Sequence, residues 1–128
     1  MSESSRPVPG SIGWRDLTVP SDLTPTVRDF YTSVVGWTVQ EVEMDGYSDY
    51  AMLDASGAPV AGVCHARGSN ASMPPHWILY VHVDDLDASV ARALEGGGRL
   101  VVPERSMGEA RFAVVADPAG AMLGLYQA

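Results

Sequence analysis

At 128 residues with a net charge of −8, the chain is one domain's worth of polymer with an acidic surface. That charge repels nucleic-acid phosphates and anionic membranes, and the eight arginines are too scattered to form a basic patch. The absence of lysine excludes Schiff-base chemistry, and the lone Cys64 excludes an internal disulfide, so a cytoplasmic protein with no nucleic-acid or membrane partner is expected.

Residues 1–11 are rich in Ser, Pro and Gly and read as a flexible tail before a single domain over 12–127. Ile12 to Val19 alternates as a strand. Thr24-Pro25 then opens a helix, with Thr24 as N-cap and Pro25 in the first turn. Val27, Phe30, Tyr31 and Val34 form its apolar face, and Gly36 ends it. Trp37 to Glu43, Tyr47 to Asp54 and Pro59 to His65 read as three strands joined by Asp45-Gly46 and Ser56-Gly57 turns. A polar connector over 66–75 follows. Trp77 to Val83 is the next strand. Asp85 or Asp87 caps a second helix that buries Leu86, Val90, Ala93 and Leu94, and Gly96-Gly97-Gly98 breaks it. Arg99 to Pro103, Ala110 to Asp117 and Ala121 to Gln127 complete the chain as strands. The glycine triplet follows a helix, so it does not read as a phosphate loop.

The order strand, helix, three strands is written twice, in a first module over 12–65 and a second over 76–127. Side chains alternate faces along a strand. Leu17, Val19, Val63, Leu79, Val81, Leu123 and Leu125 are therefore expected to face the helices. Leu17, Leu79, Val81, Leu123 and Leu125, with the two helix faces, are expected to be the most buried residues. The opposite rows mix Trp14, Asp16, Gly62, Cys64, His76, Ile78, Tyr80, His82, Met122, Gly124 and Tyr126. A face of aromatic and polar residues with interspersed glycines suits a small-molecule cavity better than helix packing.

Asp29-Phe30-Tyr31 before Val35-Gly36-Trp37, the run Val83-Asp84-Asp85-Leu86-Asp87, and Asp117-Pro118-Ala119-Gly120 before the last strand complete the pattern. Together they resemble the vicinal oxygen chelate superfamily, which includes glyoxalase I, ring-cleaving dioxygenases and bleomycin-binding proteins. The resemblance implies an α+β fold of two βαβββ modules forming a curved mixed sheet around a cavity. It also implies a homodimer. In metal-dependent members, four cavity-facing strands each provide a ligand, usually His or Glu. Those positions fall here on Trp14, Gly62, Ile78 and Gly124, whose side chains cannot hold a divalent ion. No metal or other cofactor is expected.

The reading is a metal-free binding protein for a small aromatic or apolar metabolite. Trp14, Tyr50, Met52, Gly62, Cys64, His76, Ile78, Tyr80, Met122, Gly124 and Tyr126 are the candidate ligand wall, against ordinary core as the alternative. A lyase or isomerase-type enzyme on the same scaffold is the second reading. It would use Asp16 and His82 as an acid-base couple, or a displaced metal held by His76 or His82 with Asp16 and Cys64. Against it stand a solvated Asp16, a His82 bonded to a neighbouring strand, and a Cys64 that is simply a small buried hydrophobe.

Overall fold

In the computed structural model, which describes residues 7–128, the elements are β1 (Ile12–Val19), α1 (Thr24–Val35), β2 (Thr38–Glu43), β3 (Ser48–Leu53), β4 (Pro59–His65), β5 (Trp77–His82), α2 (Leu86–Glu95), β6 (Arg99–Met107), β7 (Ala110–Ala116) and β8 (Met122–Gln127). A short 3-10 turn at Gly68–Asn70 lies in the connector. The architecture is α+β, built as two βαβββ modules. The chain divides into two compact units, residues 15–77 and residues 78–128 with the segment that ends at Trp14, so the division falls inside β1.

In the unit formed by residues 15–77, β2 and β3 are antiparallel, β3 and β4 are antiparallel, and β4 runs parallel to β1. Met52, Ala61 and Val63 form its centre, covered by Val27 and Tyr31 of α1 and flanked by Trp37, Val39 and Tyr50. This corrects the expected position of Tyr50 and Met52. Tyr50 stands opposite Val63 and Met52 opposite Ala61, and cross-strand partners share a face. Both residues therefore belong to the helix-covered side.

The α1 face is also rotated from expectation. Val27 and Tyr31 pack inward, while Phe30 and Val34 are 56% and 63% exposed. Thr24 is the first helical residue rather than the cap, and its hydroxyl donates to the Pro20 carbonyl at 3.0 Å. Gly36 ends the helix at φ +85°, a left-handed conformation that glycine adopts without a Cβ clash. Trp37 and Trp77 pack on Tyr31, whose hydroxyl accepts a 3.2 Å hydrogen bond from Trp77 Nε1.

In the other unit, β5 runs parallel to β8, and β7 pairs antiparallel with both β8 and β6. Leu86, Ala113, Val115 and Leu125 form the core, with Val83, Val90, Ala93 and Leu123 packed around them. The Asp85 side chain caps α2 by accepting from the Ala88 amide, and Gln127 Oε1 accepts from the Leu86 amide at 2.8 Å. These two bonds satisfy amides that a helix N-terminus otherwise leaves open. Because α2 lies over β6, β7 and β8, Leu79 on β5 is 41% exposed and Leu94 is 52% exposed, contrary to expectation. The expected tail is also shorter than residues 1–11. The Gly10 amide donates to the His82 carbonyl and the Ser11 carbonyl accepts from the His82 amide, which ties both residues to β5. Residues 1–6 of that tail lie outside the described residues.

The internal repeat extends to individual hydrogen bonds. Asp54 Oδ1 accepts from the amides of Ser56 and Ala58, and Asp117 Oδ1 accepts from those of Ala119 and Ala121. Each aspartate thus closes the hairpin before the last strand of its module, with Gly57 and Gly120 in positive φ.

Candidate functional site

With α2 covering one face of β6–β8, the other face carries side chains not used for helix packing. Register places His82 opposite Tyr126, Tyr126 opposite Phe112, and Phe112 opposite Arg105, in one row across four strands. The adjacent row is Tyr80, Gly124, Val114 and Val102. Val114 and Val102 are almost fully buried and form an apolar floor.

The aromatic members touch one another. The rings of His82 and Tyr126 are 5.1 Å apart, those of Tyr80 and Phe112 are 6.3 Å apart and edge-on, and the Arg105 guanidinium lies 4.6 Å above the Phe112 ring. Such contacts each stabilise by about 0.5–1.5 kcal/mol beyond burial, which favours a fixed surface over a mobile one. His82 is 7% exposed, and its Nδ1 is buried without a hydrogen-bond partner.

Two glycines make room for two tyrosines. A Cβ built on Gly124 would clash with the Tyr80 ring, lying only 2.8 Å from its Cγ. A Cβ on Gly13 would lie 2.8 Å from Cζ of Tyr126. The space expected above Gly124 is therefore filled by the neighbouring strand's tyrosine, and that glycine does not leave an opening for a ligand.

Of the residues read as a site, Tyr80, His82, Gly124 and Tyr126 come together here. Ile78 lies on the same strand face and is buried. Met122 is half-buried at the start of β8, beside a cleft of about 400 Å³ that Arg92, Ala93, Pro118 and Leu123 also line. Trp14 is half-buried on β1. His76 is exposed in the turn before β5 and belongs to the other unit. In that unit, Asp16 stands opposite Gly62, and Thr18 opposite Cys64, on the face away from α1. Asp16 and His82 thus belong to different compact units. Phe112 and Arg105 were absent from the sequence-based site. Phe112 could have been found by extending the alternation of β7 from Val114. Arg105 could not, because β6 carries a register irregularity between Val102 and Arg105 that re-aims the strand.

A family model described as a glyoxalase-like domain matches residues 17–125. The chain belongs to the glyoxalase-like family. "Putative glyoxylase CFP32" of Mycobacterium tuberculosis is 35% identical over 122 residues, covering 93% of this chain and 46% of that protein. Anthracycline biosynthesis protein DnrV of Streptomyces peucetius is 32% identical, covering 96% of this chain and 49% of that protein. The chain thus spans about half the length of these curated relatives. A glyoxalase/bleomycin resistance protein/dioxygenase superfamily member from Vibrio splendidus 12B01 shares the fold at TM-score 0.60 and 13% identity, over 92% of this chain and all of the other. Methylmalonyl-CoA epimerase from Mycobacterium tuberculosis does so at TM-score 0.56 and 19% identity, over 92% of this chain and 87% of the other.

The metal implied by the superfamily resemblance does not fit the residues at its positions in this glyoxalase-like chain. Gly62 and Gly124 have no donor side chain, Ile78 is a buried hydrocarbon, and the Tyr80 ring covers Gly124. Among the described residues, no three His, Cys, Asp or Glu side chains gather as a divalent site would require. No helix among them is long and apolar enough to cross a membrane.

Proposed function

We propose that this glyoxalase-like protein binds a small aromatic metabolite at the face of β5–β8 turned away from α2, without a metal. One observation carries the reading: a continuous row of imidazole, phenol, phenyl and guanidinium groups ends at a buried His82 Nδ1 that has no hydrogen-bond partner. A buried polar atom left unsatisfied costs about 1–3 kcal/mol, and a ligand donor or acceptor placed against it would recover that energy. The aromatic rings offer stacking surface on the same side. Two Streptomyces relatives are named for anthracycline biosynthesis, and anthracyclines are fused-ring aromatic compounds, which agrees with a ligand of this type.

The test is thermal shift against a panel of fused-ring aromatics and matched aliphatic acids, with metal analysis of the same dialysed sample. A ligand at a hundred times its Kd stabilises the fold by about 2.7 kcal/mol, which is readily seen. Stabilisation by aromatics and metal well below one equivalent support the reading. Selective stabilisation by aliphatic compounds, or one equivalent of tightly held metal, would refute it. His82 Nδ1 also favours a second reading, in which the imidazole transfers a proton to or from the bound molecule. Turnover that is lost in His82→Gln while binding survives would select it over simple binding. The protein is further proposed to be a homodimer. Its curated relatives are about twice as long, and Phe30, Val34 and Val35 leave α1 with an exposed apolar flank.

A further inference from the structure

Apart from the aromatic face, a cleft of about 400 Å³ lies between the end of α2, the end of β7 and the start of β8. The glycine triplet after α2 shapes one lip. A Cβ on Gly98 would collide with the Ala116 carbonyl oxygen, so glycine alone lets the chain pass that close to β7. The Gly98 amide donates to the Ala93 carbonyl at 2.8 Å, which fixes this lip to the helix. Gly96 and Gly98 then line the cleft with backbone only. The opposite lip is the turn at Asp117. Its Oδ1 accepts from the amides of Ala119 and Ala121, and its own amide donates to the Ala121 carbonyl at 2.8 Å. Hydrogen bonds hold both lips, so the cleft is preformed.

Its walls are aliphatic. Ala93, Val115, Pro118, Met122 and Leu123 line it, and none of the described lining residues is aromatic. Val115 is buried at the floor, whereas Arg92, Asp117 and Pro118 at the rim are exposed. Two lining residues carry charge, Arg92 from the last turn of α2 and Asp117. They do not pair with each other, and neither forms an ion pair with another described residue. The turn occupies Oδ1 of Asp117, which leaves its other carboxylate oxygen to a ligand. Small-molecule sites run from about 300 to 1,000 Å³, so this cleft suits a small ligand. A guanidinium and a carboxylate on one rim favour a ligand head that carries both signs of charge. Aliphatic walls without a ring to stack on favour an aliphatic tail. An aliphatic α-amino acid has both.

We propose that this cleft binds a free α-amino acid with an aliphatic side chain, separately from the aromatic metabolite. The Arg92 guanidinium donates to its carboxylate, its ammonium donates to Asp117, and its side chain lies against Val115, Met122 and Leu123. No covalent bond is made or broken.

The experiment is a calorimetric titration with L-leucine, with 4-methylpentanoate, which lacks the ammonium, and with 3-methylbutylamine, which lacks the carboxylate. All three carry the same branched tail. The proteins are the parent, Arg92→Met and Asp117→Asn. Asparagine keeps the Oδ1 acceptor that closes the turn, and circular dichroism verifies that each variant is folded. The parent is expected to bind leucine about tenfold more tightly than either analogue, because each analogue lacks one charge-assisted hydrogen bond. Arg92→Met should lose about tenfold in leucine affinity and hold 3-methylbutylamine within about twofold of the parent. Asp117→Asn should lose leucine to a similar extent and hold 4-methylpentanoate within about twofold. Equal affinity of the parent for leucine and either analogue would overturn the inference, as would an absence of leucine binding. Leucine binding at parent affinity in both variants would also overturn it, because the amino acid would then sit elsewhere. All three refuting outcomes leave the aromatic-binding role standing, since that role uses other residues.

Discussion

The packing of Tyr80 on Gly124 can be isolated by a double-mutant cycle. Gly124→Ala adds one carbon where the Tyr80 ring already lies, 2.8 Å from Cγ, close to the root of that side chain. The ring cannot escape by bending its tip. It must swing about χ1, which breaks its edge-on contact with Phe112. Gly124 does not need positive φ, so alanine brings no backbone strain of its own. Overpacking of this kind costs about 1–3 kcal/mol. In a Tyr80→Ala background, the same substitution fills vacated space. It should then be near neutral, or stabilising by about 0.4–1 kcal/mol through the stiffer unfolded chain. The expected coupling energy is therefore about 1–4 kcal/mol, read from urea unfolding of the parent, two single variants and the double variant. Near-ultraviolet circular dichroism would report the displaced tyrosine. An equal cost of Gly124→Ala in both backgrounds would show that Tyr80 does not occupy the glycine's place, and the arrangement of the candidate site would fall with it.

Leu125→Ala truncates a 7%-exposed residue of the α2-facing core and should destabilise by about 2–5 kcal/mol in the same unfolding assay. A loss below about 1 kcal/mol would mean that the two faces of β8 are inverted. The Asp54 carboxyl is held below its ordinary range by the Ser56 hydroxyl, helped by the Ala58 amide. Its folded pKa is thus lower than its unfolded value, so its stabilising contribution is present above the ordinary aspartate range near 3.9 and is lost as pH falls through the depressed value. Ser56→Ala should raise the Asp54 pKa in a carboxyl NMR titration, and an unchanged titration would refute the hydroxyl as cause. For the proposed homodimer, Phe30→Asp with Val34→Asp should convert the parent to monomer by sedimentation without changing its circular dichroism. A parent that is already monomeric at all concentrations would dispose of the dimer.

The cross-strand row was only partly legible in the chain. Tyr80, His82 and Tyr126 stand out because alternation separates them from Leu123 and Leu125, and β8 keeps its phase throughout. Tyr50 and Met52 were misassigned because alternation groups residues on one strand without saying which group faces the helix. Pairing with Val63 and Ala61 decides that. Phe30 and Val34 lie within the apolar arc of α1, but the inward direction depends on where the helix rests on its sheet.

The sequence by itself determined the double strand-helix-strand pattern, the stop at Gly36, a cap at Asp85 or Asp87, the hairpin turns before the last strand of each module and the glyoxalase-like family, because these follow from contacts a few residues apart or from a repeated order of elements. Tertiary structure alone decided that Tyr80 fills the space over Gly124, that Tyr126 reaches Gly13, and that an irregular β6 turns Arg105 toward Phe112 while Glu104 turns to Arg111. The physical reason is register. Each of these contacts joins strands whose alignment is fixed by hydrogen bonding between distant segments, and one extra residue in a strand reverses the face of every side chain beyond it.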